Sequence, residues 1–321
     1  MRVLVTGGAG YLGTVVCEVL AGAGCSVRCL DVLAARDHFR AASPREGRPA
    51  VQWIGASITD PAAVRQALLG CDAVVHLAGL SSDGACARNP DLARAVNLEG
   101  ALLVARLART HGCSRFLHAS SCSVYGAGGE ELLTESAEPR PLSLYARYKL
   151  KAEAELDRLA AADFTLVHLR QATLFGYSPH LRKDLVVNAM TVDALRRGRI
   201  LVHGGGGQWR PFLHVRDAAS AFLAVLRAPV AAVRGEIFNV GADSANHRVD
   251  DIARIVCGEV PGTAVIRLPG AADARSYRVG FGKIAERLGW QPSLAVPAGV
   301  VELKERLLYE DDPVLRGHAG R

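Results

Sequence analysis

No apolar run in this sequence approaches the roughly 20 residues that a helix needs to cross a bilayer, so no membrane span is expected. The eight cysteines form no CxxC pair. Cys17, Cys25 and Cys71 sit beside small or apolar residues, and the set reads as reduced structural thiols rather than a disulfide framework or a metal site. Lysine is scarce, with five among 38 basic residues, and this bias reads as genomic composition rather than function. The net charge of +6 is spread thinly along the chain. Its longest basic cluster, Arg196-Arg197 with Arg199, is short, and no basic stripe alternates with aromatics, which argues against a nucleic-acid partner. A mildly basic enzyme with an anionic substrate accounts for the charge equally well. Neither an internal repeat nor a low-complexity segment is present. Met1-Arg2-Val3-Leu4-Val5 runs directly into a glycine-rich turn, so no signal peptide is read and a cytoplasmic location is expected.

What is present is an ordinary globular composition. Half of the 321 residues are apolar and 22% are charged, and the length suits one large or two intimately joined domains. Short apolar runs predict strands over 3–5, 27–30, 51–54, 73–76, 116–119 and 164–169. Helical patterns predict helices over 11–23, 61–69, 92–110 and 144–162. Residues 34–49 are polar, contain Pro and Gly, and read as a loop. Strands alternating with helices imply an α/β fold with a doubly wound parallel sheet, whose right-handed crossovers leave ligands at the carboxyl ends of the strands. After about residue 170 the regularity loosens, and four consecutive glycines follow His203. Helices are still predicted over 185–197, 215–226, 249–257 and 300–309. This half reads as a smaller C-terminal region, partly interleaved with the sheet.

Thr6-Gly7-Gly8-Ala9-Gly10-Tyr11-Leu12-Gly13 leaves the first strand and opens the first helix. Gly7 permits a tight turn, Gly10 lets the backbone approach a pyrophosphate, and Gly13 lets helix pack on strand. The helix N-terminus adds free N–H groups and a partial positive charge. Asp31 ends the second strand some 20 residues on, where a carboxylate accepts hydrogen bonds from a ribose 2′-hydroxyl and repels a 2′-phosphate. The pattern predicts a dinucleotide site that prefers NAD to NADP. Residues 1–170 are therefore expected to form an NAD-binding Rossmann domain, with substrate binding in 171–321.

Tyr145 and Lys149 stand four apart, on one face of a predicted helix. A phenol normally loses its proton near pH 10, and a neighbouring ammonium is expected to draw that value toward neutrality for acid–base work. Upstream, His118-Ala119-Ser120-Ser121-Cys122-Ser123-Val124-Tyr125-Gly126 follows a strand, bringing hydroxyls to the carboxyl edge of the sheet.

The glycine turn, Asp31, Leu77-Ala78-Gly79, Asn97, the Ser-Ser-x-x-Val-Tyr-Gly segment and Tyr145 with Lys149 together resemble the NAD-dependent epimerase/dehydratase family. This is the extended short-chain dehydrogenase/reductase class, and within it the chain is most similar to nucleotide-sugar epimerases. The resemblance implies a soluble NAD-dependent isomerase that oxidises a sugar carbon, usually C4, inverts it and returns the hydride. It implies Tyr145 as the base, Lys149 as its tuner and a ribose ligand, Ser121 as the partner of the reacting hydroxyl, and Asn97 as support for the cofactor site. Tyr11, Leu12, Ser57, Ile58, Leu77, Ala78 and Gly79 fall at cofactor positions. Arg210, in Gln208-Trp209-Arg210-Pro211-Phe212, and Arg275, in Asp273-Ala274-Arg275, resemble the arginines that grip a substrate diphosphate. Asn188 and Thr173 are expected in the same substrate pocket. The helices over 92–110 and 144–162 carry more apolar surface than one core-facing stripe requires, and their family counterparts pair across a two-fold axis, which implies a homodimer.

Departures narrow the chemistry. The family's 4,6-dehydratases carry an Asp-Glu pair where this chain has Cys122-Ser123, and UDP-glucuronate decarboxylases keep a glutamate at the second place, so both reactions are disfavoured. Cys122 is either a carbon base for inversion beside a ketone, at C3 or C5, or a buried structural thiol. Thr173 replaces a frequent asparagine and Ser57 a frequent aspartate. Two other readings remain, a reductase of a nucleotide-linked 4-keto sugar and an NAD-binding protein without catalysis. Asp31 argues against the first, because such reductases usually draw on NADPH, and intact Ser121, Tyr145 and Lys149 argue against the second.

Overall fold

Along each early strand, alternate residues are apolar on both sides, which suits burial between two helical layers. The computed structural model describes residues 1–35, 51–129, 131–269 and 273–309. Its central sheet is built from β1 (Arg2–Thr6), β2 (Ser26–Leu30), β3 (Gln52–Ile54), β4 (Ala73–His76), β5 (Arg115–Ser121), β6 (Thr165–Gln171) and β7 (Ile237–Val240). The order is β7-β6-β5-β4-β1-β2-β3, and all pairings are parallel. The winding reverses between β1 and β4, the place where a doubly wound sheet opens its ligand crevice.

Val3, Val5, Leu117, Ala119, Val167 and Leu169 face one side and pack with helices Tyr11–Gly22 and Val215–Arg227. Leu4, Phe116 and Leu166 face the other and pack with Pro61–Leu68, Ala101–Thr110 and Leu144–Asp157. A third core, including Phe175, Met190, Phe212 and Ile252, joins helices Val186–Arg197, Val249–Glu259 and Val296–Tyr309. The chain does not divide cleanly at residue 170. Helix Val215–Arg227 covers the main sheet and β7 pairs with β6, while Thr173–Phe175 leaves β6 to pair with Trp209–His214. A cleft results where β6 gives way to the second region.

Two predicted helices differ in detail. The one over 92–110 is Pro90–Arg94 and Ala101–Thr110 joined by a wider π-type turn at 95–100, which turns Asn97 inward. Such turns recur at functional sites. The helix from Leu144 stops at Asp157 instead of running to residue 162. Leu156 is its last residue packed under the sheet, and Leu159 N–H folds back onto the Leu156 carbonyl at 2.8 Å. The segment read as a loop lies, from residue 36 on, outside the described residues.

Candidate active site

The carboxyl edge of the sheet and the C-terminal region enclose a cavity of about 1170 Å³. At one end the chain leaves β1 through the glycine turn. Gly7 has φ +72°, and a Cβ there would stand 2.6 Å from Ala78 N. One on Gly13 would stand 2.1 Å from the Gly7 carbonyl oxygen, so helix and turn touch directly. Gly10 caps the helix without a side-chain acceptor, and a Cβ there would meet nothing nearer than Gly7 O at 3.4 Å. First-turn N–H groups are thus left for an anion, in a cradle that a side chain would fill.

Asp31, 8% exposed, lines the same space. Its carboxylate accepts from Ala9 N–H at 3.0 Å and Leu33 N–H at 2.8 Å. Those bonds fix it beside the turn and leave acceptor capacity for a diol. Leu12, Ser57, Ile58, Leu77, Ala78 and Gly79 line the cavity with it. Asn97 acts from behind: its Oδ1 accepts Leu80 N–H at 2.7 Å and its Nδ2 donates to Leu80 O at 3.0 Å, holding the loop after β4. Tyr11 lines the wall, but its hydroxyl donates to Gly176 O at 2.7 Å, so it ties the first helix to the second region.

The residues expected to react meet at the other end. Ser143 caps the helix that carries Tyr145, accepting from Ala146 N–H at 3.2 Å. Tyr145 and Ser121 line the cleft together, and Lys149 Nζ lies 5.9 Å from the Tyr145 ring centre while donating to Ala119 O at 2.7 Å. The expectation that Lys149 lowers the phenol is not met in the protein by itself. Burial pushes Tyr145 up to about 12, against the opposing pull of Ser121 and the more distant Arg182. Burial also draws Lys149 down to about 8, opposed by the charge of Glu153 one turn along. Both shifts follow from desolvation of the charged form.

Thr173, Arg210 and Arg275 line the cavity. The arginines are engaged by carboxylates that the sequence did not single out. Arg210 pairs with Asp273 at 2.8 Å, and Arg275 pairs with Asp273 at 2.8 Å and with Asp83. Arg182, also missed, reaches the cleft while held by Asp184 at 2.5 Å and Ser81 Oγ at 2.9 Å. No motif marks it, because the Ser81 hydroxyl that fixes it in the cleft lies 101 positions away.

Two expected site residues lie elsewhere. Asn188 is fully buried behind the cavity wall. Its Oδ1 accepts Gly176 N–H at 3.0 Å, and its Nδ2 donates to Tyr11 Oη at 3.3 Å and Arg182 O at 3.0 Å, so it fastens the wall rather than meeting substrate. Cys122 is 1% exposed beneath the cleft, donating to Arg170 O at 3.2 Å. Burial pushes its thiol up, which disfavours the thiolate. The structure therefore supports the structural thiol over the carbon base. Among the described residues no group of His, Cys, Asp and Glu is arranged for a metal ion, and no helix is long and apolar enough to cross a membrane.

The model of the NAD dependent epimerase/dehydratase family matches residues 3–241. The UDP-glucose 4-epimerase of Mycolicibacterium smegmatis is 29% identical over 315 residues, covering 95% of this chain and 98% of that one. The dTDP-glucose 4,6-dehydratase of Streptomyces niveus is 27% identical over 319 residues, covering 95% and 92%. The UDP-glucose 4-epimerase of Thermus thermophilus, solved in complex with NAD, superposes with a TM-score of 0.82 at 25% identity, covering 96% and 99%. With the cradle, the strand-end carboxylate and the sheet order all in agreement, the chain belongs to the NAD-dependent epimerase/dehydratase family, and NAD is its cofactor.

Proposed function

We propose that the chain is a nucleotide-sugar epimerase that inverts C4 through a transient 4-keto sugar. The observation that carries this reading is that Ser121 and Tyr145 line one cleft with Lys149 alongside, where Ser123 in the wall and Cys122 beneath it offer no carboxylic acid to expel water. NAD held against the glycine turn and Asp31 supplies a hydride acceptor and a pyridinium charge that favours the phenolate. Tyr145 takes the C4 hydroxyl proton and later returns it, and Ser121 orients that hydroxyl. Lys149, fixed by the Ala119 carbonyl, holds a positive charge near the phenol. Arg210 and Arg275 take the diphosphate, exchanging the carboxylates of Asp273 and Asp83 for phosphate oxygens.

Names alone do not decide the reaction, since epimerases and dehydratases both stand among the relatives. A C4 inversion needs one hydroxyl proton moved and no carbon-bound proton removed, which is what Ser121 and Tyr145 can do without Cys122. A cytoplasmic homodimer, joined through the helices around 92–110 and 144–157, belongs to the same proposal; Leu92 stands 45% exposed on that side. The test is incubation of purified enzyme with a panel of UDP- and dTDP-sugars in deuterium oxide, with NMR of the products. C4 epimers free of carbon-bound deuterium support the reading. A 6-deoxy-4-keto product, or deuterium at C3 or C5, refutes it.

A further inference from the structure

Strand β6 ends at Gln171, which stands in register with Ser121 at the end of β5. The preceding pair, Ser120 and Arg170, points to the far face, where both bond Glu153. Alternation along the strands puts Gln171 and Ser121 together on the other side, and both line the cleft. Gln171 is 6% exposed, yet neither its Oε1 nor its Nε2 has a hydrogen-bond partner among the described residues of the chain. Among the described residues it is the one side chain with two such atoms. Ser123 Oγ, in the same wall, is likewise buried and without a partner. A buried amide with both ends unpaired is destabilising, and proteins keep few of them. A ligand that satisfied both atoms would remove that cost.

We propose that Gln171 is a ligand-recognising residue, whose Oε1 and Nε2 pair with an adjacent donor and acceptor on the molecule held beside Ser121 and Tyr145. The wall there is polar and uncharged at Gln171 and Ser123, which suits a neutral group better than a phosphate. Two sources offer that chemistry: the carboxamide of the nicotinamide, or neighbouring hydroxyls of the sugar. The sugar source rests on the function proposed above, while the nicotinamide source does not.

Gln171→Leu tests this, because it keeps the volume and removes the amide. The ligand-free variant should melt at the same temperature as the parent or higher, since an unsatisfied group has gone. Ligand affinity should fall roughly 10-fold, the loss of one good hydrogen-bonded pair. Calorimetric titrations separate the sources. If the nicotinamide is the partner, NAD binds more weakly and the variant loses the parent's preference for NAD over 3-acetylpyridine adenine dinucleotide, which lacks the amide donor. If the sugar is the partner, NAD affinity is unchanged, UDP-glucose binds the NAD-loaded variant more weakly, and UDP binds as before. A parent enzyme that binds NAD but ignores UDP-glucose counts against the nucleotide-sugar reading, and the melting and NAD arms then decide Gln171 by themselves. Unchanged affinities, or a ligand-free melting point lower by several degrees, overturn the proposal.

Discussion

Replacing Glu153 by glutamine should weaken the fold and shift the working pH range together. Glu153 and Arg170 are each 3% exposed. The guanidinium holds the carboxylate at two points, Nε at 3.0 Å and Nη2 at 2.7 Å, and its Nη1 donates to Tyr125 Oη at 3.0 Å. Ser120 donates to the same carboxylate. The amide keeps the shape but leaves a buried cation without its counter-charge, a loss of about 3–5 kcal/mol. For a chain of 321 residues, with an unfolding entropy near 2.1 cal/mol/K per residue, that lowers the melting temperature by roughly 4–7 °C. Glu153 also opposes the desolvation that draws Lys149 down to about 8. Without its charge Lys149 should lose its proton at lower pH, and the alkaline limb of kcat/KM should move the same way. Calorimetric melting at pH 7 and a pH–rate profile measure the two effects. Glu153→Leu with Arg170→Met should recover most of the stability, since the pair is replaced by apolar volume, but leave the alkaline limb displaced. A melting shift under about 1 °C, or an unmoved limb in the single variant, would refute the reasoning.

The other expectations concern the site directly. In the unsubstituted enzyme kcat/KM should fall as pH rises through about 8, as the Lys149 ammonium is lost. Stability should move oppositely: with a folded value below the ordinary 10.5, the unfolded chain binds more protons between about 8 and 10.5, so Lys149 makes the fold more stable as pH rises through that window. Thermal midpoints across it check the sign. Asp31→Ala should erode a strong preference for NAD over NADP, and equal affinities in the parent would contradict the role given to that carboxylate. Tyr145→Phe should lower turnover roughly 10²–10⁴-fold with nucleotide-sugar affinity nearly intact, because only proton transfer is lost. Cys122→Ser should cost activity only modestly, and a crippled variant would restore the carbon-base reading.

The parts of this molecule that could be read from its residues are those decided locally. Val3, Leu4 and Val5 announce a strand buried on both faces, and the glycines that follow announce a turn no side chain could occupy. Tyr145 and Lys149 share a helical face by spacing alone, as the structure has them. What could not be read depends on partners far along the chain. Asn188 looked like a pocket residue, but its amide is taken by Gly176 and by Tyr11, 177 positions away. Arg275 looked free for phosphate, but Asp83, 192 positions away, already engages it. The phenol of Tyr145 was expected to be lowered by its lysine, and burial outweighs that influence in the protein without ligand. Gln171 is the reverse case. Its type and position carry no signal in the sequence, and only the folded chain reveals an amide with neither end satisfied. Sequence supplies the chemical groups at the edge of the sheet, but which remain available to a ligand is decided by the hydrogen bonds that folding has already made. For that reason the pairing state of Asp83, Asp273 and Gln171, more than the motif itself, should separate this enzyme's substrate preference from that of relatives sharing its tyrosine and lysine.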